Sequence, residues 1–170
     1  MTSGQFFFML HLTLGVLFLH AYAGGMATLL RTSPTPLQRT VRTWSTAGLA
    51  VVAWATVISG TWLVYPDYRA EPEPGAGLVD YPKASLMADP ATEVWHHFGM
   101  EWKEHVGWIV PFIATAVAYL AIRHRDLLEK DKRVRRVTTV LFTLAFLISV
   151  VAAGLGSVIN AVAPNQFLGH

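Results

Sequence analysis

The sequence predicts an all-α integral membrane protein, with four transmembrane helices in an up-down-up-down bundle, and three observations carry that expectation. Of 170 residues, 53% are hydrophobic and only 14% charged, which is too apolar for an ordinary soluble domain. The apolar residues fall in four blocks without a formal charge, at 6–30, 44–65, 106–122 and 137–162. The basic residues are segregated, ten of the thirteen lying in 31–43 and 123–136.

A helix needs roughly 20 apolar residues to cross a hydrocarbon core about 30 Å thick. In lipid, only such a helix satisfies its own backbone. The block 6–30 meets that length. A signal peptide ending near Ala21-Tyr22-Ala23 is the rival reading, but the basic leading region is missing and the apolar run continues to Leu30, which favours a retained span. On the second block, 44–65, Ser45, Gly48, Val52, Thr56 and Ser59 share one face, a small and hydroxyl stripe suited to close helix packing.

The loop 66–89 is rich in Pro and Gly and reads as irregular structure over the helix ends. It stops at Asp89-Pro90, an N-cap followed by proline in the first helical position. The third helix is therefore expected to start near residue 90, rise about four turns above the membrane and enter it for the block 106–122, with a kink at Pro111. The fourth block, 137–162, places Thr138, Ala145, Ser149, Gly156 and Asn160 on one face. The whole chain, 1–170, reads as one four-helix transmembrane domain.

Orientation follows from charge. Segment 66–105 holds eight of the eleven acids and only Arg69, Lys83 and Lys103 among the bases. The positive-inside bias thus puts both termini and this segment on the outer face of a cell (inner) membrane, with loops 31–43 and 123–136 in the cytoplasm. The net charge of +2 averages two faces of opposite character and gives no sign of nucleic-acid binding. Cysteine is absent, which excludes thiolate metal sites, disulfides and CxxCH haem attachment.

One stretch stands apart: "HHFGMEWKEHVGW", residues 96–108. At a uniform 100° per residue, His97, Glu101, Glu104 and His105 lie within about 100° of helix surface, and Trp95 and Trp102 fall on another side. The tryptophans fit the aromatic belt of a membrane boundary. The polar face has two readings. It is a solvated flank, its carboxylates paired to Lys103, Arg69 or Lys83, or it turns into the bundle mouth and converges on a metal ion, a quinone headgroup or a proton path. His97, Glu101 and Glu104 are the candidate metal ligands.

The first helix adds His11 and His20, and an ionisable residue inside a lipid span is a functional candidate. His11 lies 20 residues from Arg31, and His105 lies 18 from Arg123, roughly 30 and 27 Å at helical rise. At matched depth on two helices, they could clamp the iron of a b-type haem, with His20, roughly 16 Å from Arg31, as the deeper alternative. Architecture alone makes the chain similar to small membrane b cytochromes and to four-helix accessory subunits of respiratory complexes.

The reading that follows is a haem b protein or subunit for electron transfer in a respiratory-type chain. Any catalysis would belong to an oxidoreductase complex. Lipid, other membrane subunits and an electron-transfer partner on the outer face are the expected partners. The alternatives are a cofactor-free accessory or assembly subunit, and a membrane protein with a His/Glu metal site.

Overall fold

The computed structural model describes residues 3–163, which are helical in their regular parts; the chain termini lie outside the described residues. Four helical spans are long and apolar enough to cross a membrane: Ser3–Leu29, Pro36–Tyr68, Trp95–Arg123 and Lys132–Val162. The last three reach past their charge-free blocks into charged sequence, because a helix stops at a cap and not at the first charge.

The caps are specific. Helix α2 (Pro36–Ser59) begins at Thr35, which exchanges hydrogen bonds with Gln38 in a capping box, with proline in the first turn. Helix α8 (Lys132–Val162) begins at Asp131, whose carboxylate accepts from the Arg133 and Val134 amides at 2.7 and 3.2 Å. Arg39, Arg42, Lys132, Arg133, Arg135 and Arg136, expected in loops, therefore lie in the opening turns of these two helices, while Arg31 stays outside them.

Only α1 (Ser3–Leu29) and α8 are continuous α-helix over their spans. The second span passes from α2 through a π segment, Gly60–Val64, into α3 (Tyr65–Tyr68). The third starts with a π segment, Trp95–Met100, and continues as α5 (Glu101–Gly107) and α6 (Ile109–Arg123). The α5–α6 break falls where expected from proline: Pro111 has no N–H for the Gly107 carbonyl.

The connection between the second and third spans is more ordered than a Pro/Gly-rich loop implies. It holds a 3₁₀ turn, Leu78–Asp80, and helix α4 (Pro82–Met87), whose Pro82 and Leu86 are buried. Asp89-Pro90 starts a turn, with the Ala91 amide donating to the Asp89 carboxylate at 2.8 Å and the Thr92 hydroxyl reaching back to the Leu86 carbonyl at 2.8 Å. Helix resumes at residue 93 and not at 90.

The spans pack as a ring, α1 on α2 and α8, and α6 on α2 and α8. The main core is apolar, centred on Phe18, Leu49, Ala53, Ala114, Val117, Phe142 and Ala145. Its buried hydroxyls, on Thr28, Thr46 and Thr138, bond carbonyls of their own helices. A smaller core of Tyr68, Leu86, Met100, Ile159 and Ala163, flanked by Tyr65 and Trp95, closes the end that carries the long connection.

The opposite, basic end is tied by one carboxylate. Glu129, on α7 (Arg125–Lys130), takes Arg39 in a two-pronged pair at 2.6 and 3.0 Å and Arg42 at 2.7 Å. Arg42 is 1% exposed, and its Nε and Nη1 have no partner. Arg135 also donates to the Leu128 and Glu129 carbonyls. Burial pulls the Glu129 carboxyl upward, but the hydrogen bonds and charges of Arg39 and Arg42 outweigh it and hold it below the usual carboxylate range.

Candidate functional site

The phase of the third span decides which of its polar residues face inward. Its buried row in α6 is Val110, Ala114, Val117 and Ala121. Steps of seven residues back from Val117 pass Val110 and reach Lys103, because seven residues make nearly two helical turns. His96, Gly99 and Met100 are buried. Lys103 lies against α8, its Nζ 3.4 Å from where a β-carbon on Gly156 would stand. A β-carbon at 156 would touch the ammonium, and a larger side chain there would take its place.

The face predicted to turn inward is thus divided. Glu104 goes in, while His97, Glu101 and His105 go out. Glu101 is 47% exposed and His105 76%; the two meet at 3.8 Å, and His105 also bonds the Glu101 carbonyl at 2.7 Å. Trp95, expected to face lipid, packs on the smaller core. The π segment at Trp95–Met100 accounts for Trp95 and His97, since its wider turns break the uniform 100° step; Glu101, Glu104 and His105 follow it on regular α5, where Glu104 lies about 60° from Glu101 and about 100° from His105. His97, Glu101 and Glu104 are not brought together, and among the described residues no group of three or more His, Asp or Glu is gathered for a metal ion.

The two histidines at matched depth also part company. His11 turns toward α2, with its Nδ1 3.1 Å from the Ser59 hydroxyl, whereas His105 faces outward. His20 is exposed and bonds the Val16 carbonyl of its own helix at 2.9 Å. The single helix α1 therefore presents one imidazole to the bundle and one away from it.

The His11 contact matches one tautomer when Ser59 donates to Thr56. Ser59 has one hydroxyl hydrogen, and its oxygen lies 3.0 Å from the Thr56 carbonyl, which can only accept. With that hydrogen donated to Thr56, the Ser59 oxygen accepts from His11, so Nδ1 carries the proton and Nε2 keeps its lone pair. The ring rests on the π segment of the second span: a β-carbon on Gly60 would stand 2.9 Å from its Cε1.

Around this imidazole, the second and third spans contribute polar groups. Lys103 acts on His11 by its charge. It makes no hydrogen bond or ion pair with any described residue, and the opposite charge that it feels is that of its neighbour Glu104. The Tyr65 hydroxyl faces the Glu104 carboxylate as a donor, while Glu104 Oε1 is buried without a partner. One turn beyond Gly156 on α8, Asn160 Oδ1 is likewise buried and unpartnered.

Toward the end with the long connection, further titratable groups follow. Tyr65 stacks on Tyr68 at 5.9 Å between centroids, under the guanidinium of Arg69. The Tyr68 hydroxyl meets His96 Nδ1 at 2.9 Å, in a buried pair. In the other direction lies the apolar main core. The site is a polar cluster open by a chain of titratable side chains to one end and insulated from the basic end. An acid–base pair of histidine and lysine beside a carboxylate can take up, hold and release protons.

Sequence reasoning missed Lys103, Ser59, Tyr65 and Asn160 as members of one site. The signal for Lys103 was the seven-residue phase of the buried row. No family model, curated protein or solved structure matches the chain.

Proposed function

We propose that the protein crosses a membrane four times, up-down-up-down, with segment 66–105 on the outer face, and that its polar cluster is a proton-handling site of an electron-transfer chain. In this reading, His11 is the base, Lys103 the cationic partner and Glu104 the carboxyl that exchanges protons with the outer face. Tyr65, Tyr68 and His96 carry the exchange outward. The observation that carries the reading is the Lys103 ammonium: it is directed at Gly156 inside the bundle, although its long chain would let it reach water. The apolar main core supports one-sided access, so the site serves proton exchange at one face and not passage across the membrane.

Infrared difference spectroscopy of the protein in lipid nanodiscs tests this. A protonated-carboxyl band that titrates with pH and is missing in Glu104→Gln is expected; a spectrum unchanged by that substitution overturns the reading.

The His11 tautomer favours a second reading. A ligating imidazole commonly donates one N–H to the protein and offers the other nitrogen, as His11 does where Ser59 donates to Thr56. In this reading His11 Nε2 would help hold a haem b that supplies one-electron transfer, without the outward-facing His105 and His20. A low-spin b-type absorption spectrum lost in His11→Ala selects this reading over the first.

A further inference from the structure

The polar atoms at the site differ in sign. Glu104 Oε1 and Asn160 Oδ1 are buried acceptors without partners, and Lys103, next to Glu104 on α5 with its ammonium turned to Gly156, offers hydrogens. Buried polar groups without partners cost stability, and these belong to adjoining turns of two facing helices. A ligand that satisfies them must both accept and donate. It must also reach them through apolar surroundings, which excludes a polyanion or a polyhydroxylated solute on desolvation grounds. Protons exchange here with one end only, so a lipid-soluble molecule that itself carries protons matches the place.

We propose that Lys103, Glu104 and Asn160 bind the oxygenated ring of a quinone or quinol. Lys103 donates to one ring oxygen, and the hydroxyl of the reduced form donates to Glu104 or Asn160. Tyr65 beside Glu104, and the edge-packed Trp62 and Trp108 at 5.7 Å, set flat aromatic surfaces at the same end of the bundle. Two π segments, Gly60–Val64 and Trp95–Met100, flank the cluster on the second and third spans, and such segments are frequent at functional sites. The inference deepens the proton-handling reading and rests on it.

Tryptophan fluorescence of the full chain in nanodiscs tests the assignment, with decylubiquinone and 2-methyl-1,4-naphthoquinone as probes and 2-methylnaphthalene as the oxygen-free control. Saturable quenching by the quinones but not by the control is expected. Lys103→Met should weaken it about tenfold or more, the effect of losing one charge-assisted hydrogen bond. Linear, unsaturable quenching, or equal behaviour of quinone and control in the wild type, overturns the proposal; that comparison decides even where Lys103→Met does not fold. A titrating Glu104 band without quinone binding removes the ligand and leaves the proton site. Loss of both removes both.

Discussion

Lys103 and Gly156 face each other across the third and fourth spans, the ammonium 3.4 Å from the position of a β-carbon that Gly156 lacks. The contact is made by the far end of a flexible side chain. Gly156→Ala should therefore be accommodated, and removing a glycine from a helix interior should leave stability unchanged or raise it by up to about 1 kcal/mol. Gly156→Leu fills the space and should cost about 1–3 kcal/mol as the ammonium is displaced. Thermal unfolding in detergent micelles separates the two variants.

At the basic end, Glu129→Gln should cost about 3 kcal/mol, because it leaves the 1% exposed Arg42 without its counter-charge. Arg39→Ala, which removes a 48% exposed partner, should cost less than about 1 kcal/mol. Because the folded carboxyl is held below its ordinary 4.5, its contribution is complete above that pH and is lost as pH falls through the lower folded value. Below about pH 4.5, wild-type stability should fall more steeply than that of Glu129→Gln, as measured by unfolding across an acid series.

Tyr68→Phe removes a hydroxyl from a pair in which Tyr68 is 3% and His96 8% exposed. The imidazole is then left buried with an unsatisfied nitrogen, and the loss should be about 1–3 kcal/mol. Denaturant unfolding of Tyr68→Phe against Tyr65→Phe measures it. A shift smaller than that of Tyr65→Phe would mean that water replaces the hydroxyl.

The chain has no cysteine, so single cysteines report topology directly. Val79, 73% exposed on the long connection, and Lys130, exposed at the end of α7, should label from opposite sides. In intact cells, a membrane-impermeant maleimide should modify Val79→Cys and spare Lys130→Cys. The reverse pattern would invert the orientation drawn from the basic loops.

The four long helices were legible because length and absence of charge are properties of the chain itself. Their ends were less so: Asp131 and Thr35 cap helices that begin among basic residues, where a search for charge-free runs stops early. The site was harder. His11, Glu104 and the 96–105 stretch were visible as polar residues in apolar company. Which way each one faces depends on helix phase, however, and a π segment alters the phase without a sequence mark. In the sequence Lys103 reads only as one of three counterions available to a solvated flank. Its inward direction follows from the row Val117, Val110, Lys103, read from the core outward.

The π segment at Trp95–Met100 also separates length from phase. A π turn holds more residues than an α turn, so the segment takes up an extra residue while the helix on either side keeps its facing; deleting one residue there restores regular helix and leaves both flanks aimed as before, whereas the same deletion in a regular α turn rotates one flank by about 100° relative to the other. The two ends of the third span thus answer to different neighbours, one to the helical ring and one to the connection folded over it. A single-residue deletion within the π segment is thus a genetic change that shortens the span without reorienting either end.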